Sequence, residues 1–263
     1  MINKKDFMLC DKITKEELKN QMPLINWKAN IKFDGERIIA VKKDGEVFLV
    51  NRRGNLKNKN YLEVVESLNA FEGDFILDGE VITYDDKFNL LQKRALTKNP
   101  LKQIELRKEV PVVYMVFDIL NCKGKDLREM PLRKRLYYLD GFDIEKAEYR
   151  EINECLLSAE EENREGIIIK NMLSPYLSKR SGFWLKLKFF KNANLKIISY
   201  TENPAGIRCE DKELNAVQVS GQQHKEVKNL IDTKGYCDII IQYLEQGKTG
   251  RYRFPSFVGV KNA

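Results

Sequence analysis

The stretch Ile31-Lys32-Phe33-Asp34-Gly35-Glu36-Arg37 constrains this chain more than any other. Ile31 and Phe33 alternate with Lys32, the period of two that belongs to a strand, which puts Lys32 on the face opposite the two apolar residues. Asp34-Gly35 then reads as a tight turn. Asp44-Gly45 repeats the signal between two β-rich runs, 37–42 and 46–51, and predicts a hairpin. Hairpins at this spacing build antiparallel sheet. A lysine at a strand end beside a turn can also reach into a cleft and act as a nucleophile once it loses its proton.

The remaining elements follow from periodicity. Thr14-Lys15-Glu16-Glu17 has capping-box spacing and predicts a short helix that Pro23 closes. Tyr61, Val64, Val65 and Leu68 have helical spacing and face a core. In Asp74–Ile82 an apolar strand is broken by Asp78-Gly79-Glu80 and resumes at once. Carboxylates in a buried strand are costly unless they bind something, or unless the break is a bulge at a sheet edge. Leu101–Lys108 reads as helix and Val110–Leu120 as a strong strand carrying Asp118. Pro131 opens a helix through Leu132, Leu136 and Leu139, and Ile152, Cys155, Leu156 and Ala159 mark another. Glu165–Lys170 is a short apolar strand between a carboxylate and a lysine. Trp184-Leu185-Lys186-Leu187-Lys188 alternates, so Lys186 and Lys188 share a face. Beyond Phe190, short strands near 194–200, 214–219, 237–243 and 256–260, with a helix at 224–230, have the rhythm of a small five-stranded barrel of the OB-fold kind. The boundary falls near residue 189.

Composition narrows the function. The 263 residues suffice for one large or two modest domains, and a net charge of +7 suits a polyanionic partner. Five scattered cysteines without a Cys-x-x-Cys pair argue against zinc fingers and for reduced thiols in a cytoplasm. The single histidine, His224, rules out a site built from several histidines. No apolar segment follows the N-terminal lysines as in a signal peptide, and no apolar run approaches membrane-spanning length.

Taken in order, Lys32–Arg37, Arg52-Arg53-Gly54, Asp78-Gly79-Glu80, Phe117-Asp118, Glu165–Lys170 and Trp184–Lys188 resemble the successive nucleotidyltransferase motifs of ATP-dependent DNA ligases. Tyr176–Arg180, Gln218-Val219-Ser220-Gly221 and Arg253-Phe254-Pro255-Ser256-Phe257 look similar too, most of all to small bacterial, phage and end-joining ligase modules. The resemblance implies an α+β chain. Residues 1–189 would form the adenylation (nucleotidyltransferase) domain, with antiparallel sheets and flanking helices, and 190–263 an OB-fold barrel.

The same resemblance assigns roles. Lys32 would attack the α-phosphate of ATP and carry AMP on its nitrogen. Lys186 and Lys188 would hold the phosphates and Glu80 the ribose. Phe117 would stack on adenine, Ile31 and Arg37 would line the nucleotide pocket, and Glu165 would serve Mg²⁺ or Mn²⁺. Arg52 would contact the 5′-phosphate of nicked duplex DNA. The chain would act as a monomer in the cytoplasm, using ATP and not NAD, with no separate DNA-binding domain ahead of Lys32. The family's closing Arg-x-Asp-Lys motif has no counterpart in Gly259-Val260-Lys261-Asn262-Ala263, which bears on self-adenylation more than on sealing. RNA ligases and capping guanylyltransferases share the scaffold and are the nearest alternatives. A nick-binding protein that does not seal is another.

Overall fold

The computed structural model describes residues 3–84, 88–213, 215–247 and 249–261. Met1, Ile2, Leu214, Asn262 and Ala263, which enter the readings above, lie outside them. The chain divides into two compact units after Leu187.

The first unit carries, in order, β1 (Leu9–Lys12), α1 (Lys15–Gln21), β2 (Trp27–Ile31), β3 (Glu36–Lys43), β4 (Glu46–Asn51), α2 (Leu62–Asn69), β5 (Phe75–Thr83), α3 (Phe88–Leu96) and α4 (Pro100–Glu109). It continues through β6 (Val112–Cys122), β7 (Lys125–Asp126), α5 (Leu132–Tyr137), α6 (Ile152–Glu161), β8 (Gly166–Asn171) and β9 (Arg180–Lys188). Two sheets form. One runs β1-β9-β8-β2, with the first pair parallel and β2 antiparallel to β8. The other is antiparallel, in the order β4-β3-β5-β6-β7. The Thr14 capping box and the Asn99 cap with Pro100 in the first turn start α1 and α4.

Asp44-Gly45 is the hairpin turn between β3 and β4, both residues at positive φ (52° and 81°). Asp34-Gly35 is not a hairpin turn. Because β2 pairs with β8 and β3 pairs with β4 and β5, residues 32–35 carry the chain from one sheet to the other. Gly35 is needed there for close approach: a Cβ would lie 2.1 Å from the Val81 carbonyl oxygen. The predicted opposition of Lys32 to Ile31 and Phe33 also fails. The strand ends at Ile31, so alternation ends with it, and all three residues line one cleft.

The break at Asp78-Gly79 is a bulge, with the β5–β6 register shifting there, but it sits in the centre of the sheet and not at an edge. The core of this sheet is apolar and continuous, built on Ile38, Leu49, Tyr61, Leu68, Leu77 and Val116. Val64 and Leu68 of α2 enter it at helical spacing, as does the capping Tyr61.

The second unit contains β10 (Lys191–Ile197), β11 (Ser199–Asn203), β12 (Gly206–Glu210), β13 (Ala216–Val219), α7 (Gln223–Lys234) and β14 (Cys237–Tyr243), then β15 (Glu245–Gln246), β16 (Tyr252–Arg253) and β17 (Ser256–Val260). Sheets β10-β14-β17 and β11-β12-β13 share a core of Ile197, Ile207, Val219, Val227 and Ile239. β12, outside the four strand ranges expected beyond Phe190, begins at Gly206, whose φ of 126° and 2.2 Å approach to the Val219 oxygen admit only glycine. Among the described residues no helix is long and apolar enough to cross a membrane.

Candidate active site

Strand ends from both sheets of the first unit open onto a cleft of about 210 Å³. Ile31, Lys32 and Phe33 reach it from β2 and the crossing that follows. Arg37, Glu80 and Phe117 come from β3, β5 and β6. Arg52 comes from the turn after β4, Lys170 from β8, and Arg180, Trp184 and Lys186 from β9.

At its head Lys32 Nζ lies 2.5 Å from Glu165 Oε2. Burial presses the ammonium to lose its proton, but Glu165, Glu80 and Asp34 outweigh burial and hold its pKa above the ordinary lysine value. The local field thus favours the ammonium form. Carboxylates surround it, and the proton stays. Burial pushes the Glu80 carboxyl up to about 8 against the pull of Lys32 and Arg37.

Asp78 is wholly buried and accepts two hydrogen bonds from Arg37, at 3.0 and 2.6 Å, and one from Tyr176 Oη at 2.8 Å. Arg37 also donates to the Met8 carbonyl, and Met8 N–H donates to Tyr176 Oη. Arg37 lines the cleft, but its guanidinium is engaged in this network. On the adjacent strand Asp118 does likewise, accepting two bonds of 2.7 Å from fully buried Arg135. The two aspartates beside Glu80 and Phe117 are therefore anchors for arginines.

Phe117 lines the cleft with most of its ring covered. Trp184 meets it edge-on, centroids 6.0 Å apart, and Lys170 Nζ lies 4.3 Å from its centre. Lys170, to which sequence reasoning assigned no role, sits at the base of the cleft. Its Nζ is 3.9 Å from the Trp184 ring centre and donates to Tyr149 Oη at 2.7 Å. Burial pulls its pKa down to about 7 despite Asp118 and Asp78. Its only sequence signal was a lysine closing an apolar strand. Asn30 was missed as well. Its Oδ1 and Trp184 Nε1 are buried in the cleft lining without hydrogen-bond partners among the described residues. Lys186 lines the cleft. Lys188, the last residue of β9, falls in the second unit, its Nζ 5.8 Å from the Phe254 ring centre.

A second groove, about 1160 Å³, shares Arg37, Arg52 and Glu80 with the cleft and adds Arg53, Lys57, Lys59 and Lys98. Among the described residues no three or more His, Cys, Asp or Glu side chains cluster as a ready metal site.

Two curled sheets meeting at a lysine-headed cleft define a nucleotidyltransferase-like ligase fold. The family model for the ATP dependent DNA ligase domain matches residues 7–188, and the chain belongs to that family of enzymes. The SPbeta prophage-derived DNA ligase-like protein LigB of Bacillus subtilis strain 168 is 28% identical over 257 residues, covering 88% of this chain and 92% of LigB. The multifunctional non-homologous end joining protein LigD of Pseudomonas aeruginosa is 29% identical over 206 residues, and the match spans only 23% of that protein. Among solved structures, a Lig E DNA ligase superposes with a TM-score of 0.72 at 17% identity, covering 99% of this chain and all of its own. The ligase domain of M. tuberculosis LigD gives 0.59 at 20% identity, covering 97% and 94%. At such identities the structural likeness speaks for the fold.

Proposed function

We propose that this protein is an ATP-dependent DNA ligase that seals nicks in duplex DNA through a lysyl-AMP intermediate. The observation that carries the reading is the convergence of Lys32, Glu80, Phe117, Lys186 and Arg52 on a single cleft of a chain in this family, with Glu165 paired to Lys32. Lys32 Nζ attacks the α-phosphorus of ATP, the bond to pyrophosphate breaks, and a phosphoramidate forms. A 5′-phosphate oxygen at the nick then displaces Lys32 from AMP. The neighbouring 3′-hydroxyl attacks that phosphate and AMP leaves.

The chain's residues suit these tasks. Lys186 offsets phosphate charge as it builds in the transition state. Glu80, half-protonated near pH 8, holds a ribose hydroxyl. The part of the Phe117 ring that lines the cleft meets the base, and Asn30 Oδ1 and Trp184 Nε1 offer an acceptor and a donor to its polar edge. Arg52 takes the 5′-phosphate at the junction of cleft and groove, where a planar guanidinium makes paired bonds. Mg²⁺ or Mn²⁺ fits beside Glu165, since such ions are held by one or two carboxylates plus substrate phosphates and need no protein cage. The ion would supply positive charge for the phosphates, and Lys32 attacks as the free amine. We further read residues 190–263 as an OB-fold that helps clamp the duplex through phosphate contacts. The five free thiols suit a reducing cytoplasm, where the protein acts as a monomer.

Intact-mass analysis after incubation with ATP and Mg²⁺, beside Lys32→Ala, tests the reading. One AMP gained by the parent alone is expected, followed by sealing of a nicked duplex. GTP in place of ATP tests for a capping enzyme, and nicked RNA for an RNA ligase. No adduct and no sealing of pre-adenylated nicked DNA would overturn it.

A further inference from the structure

Arg52 lines both the cleft and the groove, yet it stands on an exposed turn. A long side chain on such a turn is useful only if the turn itself is held. The hold comes from Asn51, buried at the end of β4. Its Oδ1 accepts from the backbone N–H of Arg53 at 3.0 Å and of Asn55 at 2.9 Å. The backbone closes the same turn through Gly54 N–H to the Asn51 oxygen at 2.8 Å, with Gly54 at a φ of 85°.

An asparagine amide holds a turn in this way only while its own plane is fixed. Glu36 fixes it: Asn51 Nδ2 donates to Glu36 Oε1 at 2.7 Å. Glu36 is in turn clamped by the hydroxyl of fully buried Tyr61, donating at 2.6 Å, and by the Lys57 ammonium at 3.2 Å. Glu36 directly precedes Arg37, at the end of the crossing that presents Lys32. One carboxylate thus ties the lysine-bearing segment to the arginine-bearing turn.

We infer that Glu36 and Asn51 are positioning residues for Arg52, controlling the DNA-dependent steps and not adenylation of Lys32. The inference rests on reading Arg52 as the contact for the 5′-phosphate. Neither residue lines the narrower cleft around Lys32, while both line the groove. A purely structural role would lower the melting temperature and slow every step alike.

The test uses the full chain and separates two rates: AMP incorporation from ATP, and single-turnover sealing of nicked duplex by pre-adenylated protein. Asn51→Ala is expected to incorporate AMP within about twofold of the parent and to seal at least tenfold more slowly. Arg52→Ala should seal slowly too, and the double variant should be no slower than Arg52→Ala alone, the signature of two residues acting through one. Glu36→Ala should show the same selective loss, and Glu36→Gln, which keeps an oxygen for Asn51, should restore sealing. If Asn51→Ala melts below the assay temperature, Asn51→Asp gives the same split. It keeps the turn acceptor but sets an oxygen against Glu36. Sealing at the parent rate by Asn51→Ala, or losses that multiply in the double variant, would overturn the inference. If Arg52→Ala itself seals normally, the role given to Arg52 is wrong and the inference falls with it, an outcome distinct from slow Arg52→Ala beside normal Asn51→Ala.

Discussion

Glu165 Oε2 lies 2.5 Å from Lys32 Nζ, so the nitrogen proposed to attack ATP is held as an ammonium ion by a carboxylate from the neighbouring strand end. Removing that carboxylate has two opposite consequences. In Glu165→Gln, burial is opposed by less negative charge, and the Lys32 pKa drops. Modification of Lys32 by an amine-acylating reagent near pH 9, without ATP, is expected to quicken several-fold, read by peptide mass mapping. AMP incorporation with ATP and Mg²⁺ should fall by tenfold or more. Slower acylation would show that Glu165 does not set the charge on Lys32.

Glu80 links pH to stability. Its carboxyl titrates near 8 in the folded chain against an ordinary 4.5, so between those values the folded state holds a proton the unfolded state has lost. Stability contributed by this group is full below pH 4.5 and is lost as pH rises toward 8. Glu80→Gln abolishes the loss. The melting temperature of the variant minus that of the parent should be smallest near pH 5 and grow to a plateau above pH 8, worth a few kcal/mol at about 1.36 kcal/mol per pH decade. A difference flat with pH would place the Glu80 pKa near its ordinary value.

Lys170 has the opposite slope. Its folded pKa near 7 lies below the ordinary 10.5, so the unfolded state binds the extra proton between them and stability rises with pH across that window. Lys170→Met removes the charge. Its melting-temperature advantage over the parent should be greatest at pH 7 and below and shrink toward pH 10. A constant offset would mean that the aromatic rings and Tyr149 hold the ammonium as well as water does.

Asp78→Asn leaves the Arg37 guanidinium buried without its counter-charge. Breaking such a pair costs about 3–5 kcal/mol, and urea denaturation should show a loss of that order. Asp118→Asn, which strands Arg135, should cost a similar amount. A loss below about 1 kcal/mol in either would mean that water reaches the guanidinium.

Local chemistry determined a good deal. The Asp44-Gly45 turn, the Thr14 capping box, the helical spacing of Tyr61, Val64 and Leu68, and the strands ending at Asn51 and Tyr243 are short-range matters of φ, caps and period, and the chain states them outright. The residue types needed for nucleotide chemistry stood in motif order along the chain. Whether they meet was a long-range question. Asp34-Gly35 has the composition of a hairpin and became a crossing because its two strands found partners in different sheets. Asp78 stood in a strand whose carboxylates had to bind something, and Asp118 had no assigned role; Arg37 and Arg135, remote along the chain, claimed them. The protonation of Lys32, the depressed Lys170 and the Glu36–Asn51 clamp exist only where burial and remote charges meet. Solvation and Coulomb energy depend on three-dimensional distance, which no local pattern encodes.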